Sequence, residues 1–262
     1  MTLKKTTNLP LTLKDIARTI KSFLWMKERR WIYSIGKRTE IPMIISTGSR
    51  SLDGLLGGGI RSGMVTDFFG GSGTGKSQLC FTVCVNCAKE INPGESILFI
   101  DTTGNFRPER IQEISKGQGK DILSKISYMR VFNSSDQNNV ICGASERNPK
   151  IIIVDNVTSL ISNEFGGARK YLRIMKHMHS LCLTAITLDC AVVVTNMLTY
   201  SSNAGSVQEG ESLASSISPC AHVRARLEIA DFTKLLYKAT LLHPAISKSS
   251  FFGIRKIGIT DA

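Results

Sequence analysis

Eight consecutive residues, Gly70-Gly71-Ser72-Gly73-Thr74-Gly75-Lys76-Ser77, constrain this chain more than any other stretch. They satisfy the pattern G-x-x-x-x-G-K-[ST] in full, directly after an apolar run from Val65 to Phe69 and directly before a helical stretch near 76–90. Glycines let such a loop wrap tightly, so that backbone N–H groups point inward at phosphate oxygens. The N-terminus of the following helix adds a dipole that favours the same anion. In this arrangement Lys76 reaches the β- and γ-phosphates of a nucleotide and the Ser77 hydroxyl ligates Mg²⁺. The bland alternative, an ordinary glycine-rich turn between strand and helix, is disfavoured by the full pattern in this context. ATP with Mg²⁺ is the expected ligand.

The rest of the chain supplies a matching sheet. Ser96 to Asp101, Ser127 to Phe132, Ile151 to Asp155 and Ala191 to Thr195 are short and apolar nearly throughout, which is how strands covered on both faces read. Helical candidates near 76–90, 108–116 and 169–187 alternate with them. The expected fold class is therefore α/β, a P-loop NTPase core with a mostly parallel central sheet, right-handed crossovers and helices on both faces. Three later runs, Cys220–Ile229, Lys234–His243 and Ser250–Ile259, are expected as successive strands of a C-terminal β-meander at one sheet edge. Ile151-Ile152-Ile153-Val154-Asp155 ends an apolar strand on a carboxylate, at the edge where open α/β sheets bind ligands, and makes Asp155 the second Mg²⁺ candidate.

With 262 residues there is room for one large core and a short appendage. A composition of 42% hydrophobic and 21% charged residues argues against disorder. The net charge of +12 favours a polyanionic partner, nucleic acid before membrane, over a merely solvated basic surface. Residues 1–45 are expected to form a separate basic segment and 46–262 the ATPase core. The first segment holds ten basic against three acidic residues, and so +7 of the total. Within it, Thr12 and Asp15 are spaced as a capping box, and Leu13, Ile16, Ala17, Ile20, Phe23 and Leu24 recur at helical spacing. This predicts a basic amphipathic helix whose apolar stripe either packs on the core or docks on DNA or a partner subunit. The N-terminus has no apolar signal region, and no stretch approaches the length of a membrane span. Seven scattered cysteines suit a reducing compartment, the cytoplasm. Cys80, Cys84 and Cys87 invite a metal reading, but they fall along one helix stripe and are better explained as small buried hydrophobes.

A family resemblance rests on particular segments. ISTGSRSLDGLLGGGIRSGMVTDFFGGSGTGKSQ (45–78), LFIDTTGNFRPERI (98–111) and RNPKIIIVDNVTSL (147–160) are similar to the ATPase core of RecA/RadA-type recombinases. KHMHSL (176–181), AVVVTN (191–196) and FFGIRKIGITD (251–261) continue the likeness. The F-R-P-E-R element separates this family from KaiC-like and helicase relatives. The resemblance implies a RecA-like fold and makes Arg110 the arginine that stacks on adenine. It also implies two DNA-binding loops, at about 162–170 and about 198–212. In the first, Arg169 and Lys170, with Arg173 a turn on, either contact DNA phosphates or form a solvated helix start. The second, LTYSSNAGSVQEGES, carries no Lys or Arg and is expected to be a mobile loop.

The sequence departs from the family pattern at mechanistic positions. Where the family reads D-T-E-G, with the Glu as general base, this chain has Asp101-Thr102-Thr103-Gly104, and Thr103 offers no base near neutral pH. Where the family ends V-T-N-Q, with the Gln sensing the γ-phosphate, it has Thr195-Asn196-Met197. The Asp expected to cap ATP from a neighbouring subunit falls on Leu242. Residues 1–45 lack the F-x-x-A polymerisation tetrapeptide, and Phe165-Gly166-Gly167-Ala168 is a coincidental match in the first loop region. Those 45 residues are also too few for the family's N-terminal helix-hairpin-helix domain. The resemblance thus implies a paralogue like archaeal RadB, which binds ATP and DNA, hydrolyses weakly, and assists a principal RadA-type recombinase in homologous recombination and repair. Single-stranded DNA is the expected form, and homo-oligomerisation stays open. The alternatives are a full DNA-dependent ATPase that performs strand exchange itself, and a KaiC-like regulatory ATPase that does not bind DNA.

Overall fold

The apolar runs become strands with both faces covered, and the stretches between them become the helices that cover them. A computed structural model describes residues 41–203, 206–244 and 247–262. The basic helix expected around Leu13 to Leu24 lies outside the described residues. In chain order, β1 (Ile44–Ile45), α1 (Arg50–Leu55) and β2 (Ile60–Arg61) come first, with β1 and β2 paired antiparallel. β3 (Val65–Gly70) leads into α2 (Lys76–Glu90) and then β4 (Ser96–Asp101). Two short helices, α3 (Pro108–Ile114) and α4 (Gly119–Ser124), precede β5 (Ile126–Arg130). Next come α5 (Ser134–Cys142), β6 (Pro149–Asp155), α6 (Ser159–Glu164) and the long α7 (Gly167–Thr187). β7 (Ala191–Asn203) and β8 (Ser206–Glu211) are joined through a single turn of helix, α8 (Ala214–Ile217), to β9 (Val223–Asp231). β10 (Leu236–His243), β11 (Ser249–Arg255) and β12 (Gly258–Asp261) complete the described chain.

The main sheet runs β5-β4-β6-β7-β3-β9-β10-β11-β12. From β5 to β9 neighbouring strands are parallel, and from β9 to β12 they form an antiparallel meander. β3 is buried over its whole length, and Ile151–Val154 of β6 and Ala191–Val194 of β7 have no exposed surface. Each fully buried Val, Ile or Phe stabilises the fold by about 1.5–3 kcal/mol relative to exposure. α2 is buried nearly all round, as a helix between two layers must be. On its outer side the Thr82 hydroxyl accepts a hydrogen bond from Ile259 N at 3.0 Å, which docks the β11–β12 hairpin on it. The Cys80 and Cys84 thiols are held well above their usual pKa by burial, and Cys87 is pushed to about 12 for the same reason. They behave as core side chains. α7 is amphipathic, with Ile174, His177, Met178, Leu181 and Ala185 turned inward at helical spacing.

Two expectations need correction. Ser250–Ile259 is not one strand but the hairpin β11–β12, turned at Arg255–Gly258, where Gly258 adopts φ +99. The expected mobile loop at 198–212 is mostly a β-hairpin, because β7 runs on past the sheet to Asn203 and β8 pairs back on it from Leu198↔Glu211 to Asn203↔Ser206. Ladder hydrogen bonds satisfy backbone groups that a loop would leave to water.

Candidate functional site

β3 delivers the phosphate loop to the C-terminal edge of the sheet, between the ends of β7 and β9. A side chain would be crowded at two of its glycines. A Cβ on Gly70 would lie 2.2 Å from the Leu227 carbonyl oxygen of the neighbouring strand. Gly75, with φ +91, begins α2 in a left-handed conformation, and a Cβ there would meet Ile254 Cδ1 at 2.6 Å. No side chain caps the α2 N-terminus. The Lys76 ammonium donates to the carbonyls of Gly70 (2.9 Å) and Gly71 (2.5 Å) and to Thr74 Oγ1 (3.3 Å). Burial lowers its pKa, and the Asp155 carboxylate opposes that shift.

Ser72, Gly73, Thr74, Gly75, Lys76 and Ser77 line a cavity of about 390 Å³. Asp155, at the end of β6, forms the facing wall. Ser77 Oγ donates to Asp155 Oδ2 at 2.6 Å, and Thr195 Oγ1 donates to Oδ1 at 2.5 Å. Burial raises the Asp155 pKa, while these two hydroxyl donors pull it back. A hydroxyl and a carboxylate in contact are the oxygen donors a hard divalent cation takes. With a glycine cradle and a lysine beside them, the residues present fit a nucleoside triphosphate and Mg²⁺.

Thr103 lines the same cavity, and its placement comes from Asp101. The Asp101 carboxylate accepts from the backbone N–H groups of Thr103 (2.9 Å), Gly104 (2.6 Å) and Phe106 (3.1 Å), and from Tyr128 Oη (3.1 Å). Burial would raise its pKa, but these donors outweigh it and hold the group below the usual carboxylate range. Asp101 is thus committed to shaping the turn, and Asp155 is the only carboxylate among the lining residues. Met197 also lines the cavity, directly across the β3–β7 register from Gly70, and is 49% exposed.

Arg110 stands outside the lining. Its guanidinium donates to Gln78 Oε1 (2.7 Å), Glu113 Oε2 (2.8 Å) and the Lys256 carbonyl (2.8 Å), so it touches the cavity only through Gln78. Leu242 is an exposed residue of β10. Arg169, Lys170 and Arg173 lie on the first turns of α7 and not in a loop. Arg169 and Arg173 are exposed, and Arg173 stacks over Phe165 at 5.1 Å. Arg173 also lines a second cavity of about 510 Å³, together with Lys176 and His177. Sequence reasoning missed Gln78, Asn105, Asn156, Tyr237 and Ile254 in the wall and Thr195 behind Asp155. Gln78, next to Ser77, was the most accessible of these; Tyr237 and Ile254 arrive from the meander with no local signal.

A sequence model of the Rad51 family matches residues 37–222. Over 181 residues, 64% of this chain and 46% of the relative, the chain is 38% identical to a protein described as DNA repair and recombination protein RadA from Cenarchaeum symbiosum (strain A). It is also 38% identical, over 176 residues, to DNA repair protein RAD51 from Saccharomyces cerevisiae (strain ATCC 204508 / S288c), covering 62% of this chain and 44% of that one. The chain spans a little under half the length of these two relatives. No helix among the described residues is long and apolar enough to cross a membrane.

Proposed function

The chain belongs to the Rad51 family, and from that premise we propose that it is an Mg²⁺-dependent ATP-binding protein that binds single-stranded DNA and assists a principal RadA-type recombinase in homologous recombination and repair. The observation that carries this reading is the Ser77–Asp155 contact at 2.6 Å, in a cavity that Lys76 and the glycine-rich loop also line. Mg²⁺ bound with the nucleotide would neutralise charge on the β- and γ-phosphates. The chain's own residues do the rest. Loop N–H groups and Lys76 hold phosphate oxygens, Ser77 and Asp155 offer oxygen ligands, and Thr195 fixes the Asp155 carboxylate in place.

Weak hydrolysis is part of the proposal. Positioned acid–base catalysis contributes about 10²–10⁴-fold. Thr103 cannot supply it, Asp101 is spent on the turn, and both Asp155 oxygens accept hydroxyl donors. An enzyme that drives strand exchange by rapid turnover would need a base that the described wall does not offer. For DNA, the +12 charge and the exposed Arg169 and Arg173 support phosphate contacts. Seven scattered cysteines suit a reducing cytoplasm. The test is titration with a fluorescent ATP analogue, with and without Mg²⁺, followed by phosphate release with and without an oligo-dT strand. Mg²⁺-dependent binding with little stimulated release is the expected result. Brisk stimulated release would overturn the accessory reading, and DNA binding indifferent to added salt would overturn the phosphate contacts.

A further inference from the structure

Tyr237 brings into the nucleotide cavity a hydroxyl that the fold itself does not use. It stands on β10, opposite Ile229 of β9 and Phe252 of β11 in the antiparallel register. Its ring lies against Phe252, with centroids 5.5 Å apart and planes at 21°. It belongs to the same buried cluster as Ala239, Leu241 and Phe252, and is itself 7% exposed. A buried tyrosine normally finds a hydrogen-bond partner for its hydroxyl, because burying an unpaired one is costly. Among the described residues the Tyr237 hydroxyl makes no hydrogen bond, yet it is not sealed off from solvent. The surface open to it is the cavity that Tyr237 lines beside Ile254 and the phosphate loop.

The strand order sets which end of the cavity this is. Across the sheet the strands run β6-β7-β3-β9-β10. Asp155 enters from β6, two strands to one side of the phosphate loop, and Tyr237 from β10, two strands to the other. The cavity they share therefore runs across the loop from one side of the sheet to the other. On the nucleotide reading, Ser77 and Asp155 take Mg²⁺ with the terminal phosphates at the first end, which leaves the second to the nucleoside. Gln78 belongs to that second end. Arg110, which donates to its Oε1 at 2.7 Å, donates also to the Lys256 carbonyl, two residues from Ile254. With its oxygen taken, the Gln78 amide keeps N–H donors for the cavity. A nucleoside offers what these donors and the Tyr237 hydroxyl can meet, sugar oxygens and ring nitrogens, whereas a bare triphosphate chain ends short of them.

We propose that Tyr237 is a nucleoside-binding residue, whose hydroxyl hydrogen-bonds the nucleoside of the bound nucleotide and makes the cavity favour a nucleoside triphosphate over the triphosphate chain alone. The proposal rests on the nucleotide reading for the ligand. Calorimetric titration of wild type and Tyr237→Phe with a non-hydrolysable ATP analogue and Mg²⁺ tests it. The analogue is unlabelled, because a fluorophore on the nucleoside would crowd the end in question. Tripolyphosphate is added as a competitor. Tyr237→Phe keeps the ring stack and removes one hydrogen bond, so the analogue is expected to bind about three- to tenfold more weakly. The inhibition constant of tripolyphosphate should be the same in both proteins. So should the melting midpoint without nucleotide, because the hydroxyl has no protein partner to lose. Analogue affinities within about twofold of each other, less than one hydrogen bond contributes, overturn the proposal. Equal losses for the analogue and for tripolyphosphate also overturn it, since the hydroxyl would then shape the loop and not meet the nucleoside. A variant that melts lower without nucleotide, or fails to fold, overturns it too, because the hydroxyl would then serve the fold. Failure of wild type to bind the analogue is a separate outcome, read before any variant is made, and removes the nucleotide reading together with this subsite.

Discussion

Replacing Gly75 by alanine would act on the loop through two separable terms. Gly75 has φ +91, a region in which an L-residue is strained, and a new Cβ would sit 2.6 Å from Ile254 Cδ1. Left-handed backbone costs an L-residue about 1–2 kcal/mol. The Ile254 methyl is the far end of a flexible side chain, so it can give way by leaving its rotamer well, at about 0.5–1.5 kcal/mol. Together they give about 1.5–3.5 kcal/mol, or roughly 3–14 °C in melting midpoint for a chain of this size. Gly75→Ala with Ile254→Val should recover the packing term and leave the backbone term. Gly70→Ala makes a useful contrast, because its clash is with the Leu227 carbonyl of a paired strand, which cannot swing aside. Denaturant melts of all three proteins, with and without nucleotide, measure these terms. Each alanine should also weaken nucleotide binding, since the loop must move off its cradle geometry. A Gly75→Ala chain with unchanged midpoint and unchanged nucleotide affinity would refute the left-handed cradle. Full recovery of stability in the double variant would show that backbone strain contributes nothing.

Thr103→Glu places a carboxylate in the cavity wall, on a turn already shaped by Asp101, and is expected to raise single-stranded-DNA-dependent phosphate release by about 10²-fold, the low end of what a positioned base contributes. An unchanged rate in a folded, nucleotide-binding variant would mean that a second group is missing. His177 is buried on α7 with Gln137 Nε2 at 2.9 Å, and burial depresses its pKa from 6.5 to about 4. The unfolded chain therefore takes up a proton that the folded one refuses, so stability present above pH 6.5 is lost as pH falls towards 4. The full loss is about 3 kcal/mol at 1.36 kcal/mol per unit, and His177→Gln should remove that slope in urea melts taken across the window. Parallel slopes in the two proteins would place the acid sensitivity elsewhere.

The parts of the molecule that were legible in sequence are those whose causes are local. α2 could be bounded at 76–90 because the glycine-rich loop precedes it and Pro93 follows shortly after. The parallel strands announced themselves as apolar runs because both of their faces are covered. The β7–β8 hairpin did not, because its serines, asparagines and glycine lack the alternation that burial of one face imposes, and its pairing comes from continuing a core strand outward. The partners of the Arg110 guanidinium, Gln78 and the carbonyls of the β11–β12 turn, carried no signal either, because they are far off in sequence. The ion-paired trio of Asp67, Arg224 and Glu211 was invisible for the same reason. Three charged residues on three strands carry no spacing that brings them together. Thr103 and Met197 could be flagged from the motifs around them, yet only the fold shows that both line one cavity wall.

The strand order has a consequence for how the protein is made. β3 carries the phosphate loop, but its neighbours in the sheet are β7 on one side and β9 on the other. Their pairing residues, Val192 to Met197 and Val223 to Leu227, are synthesised long after Val65 to Gly70. At about 5–20 residues per second, the first of these partners follows β3 off the ribosome by roughly 6–25 s. During that interval Phe68, Phe69 and the apolar face of α2 have no completed sheet to cover them, and chaperones have a window in which to bind. Gly70 to Ser77 are made early in the described chain, but the strands that flank β3 on both sides come only later.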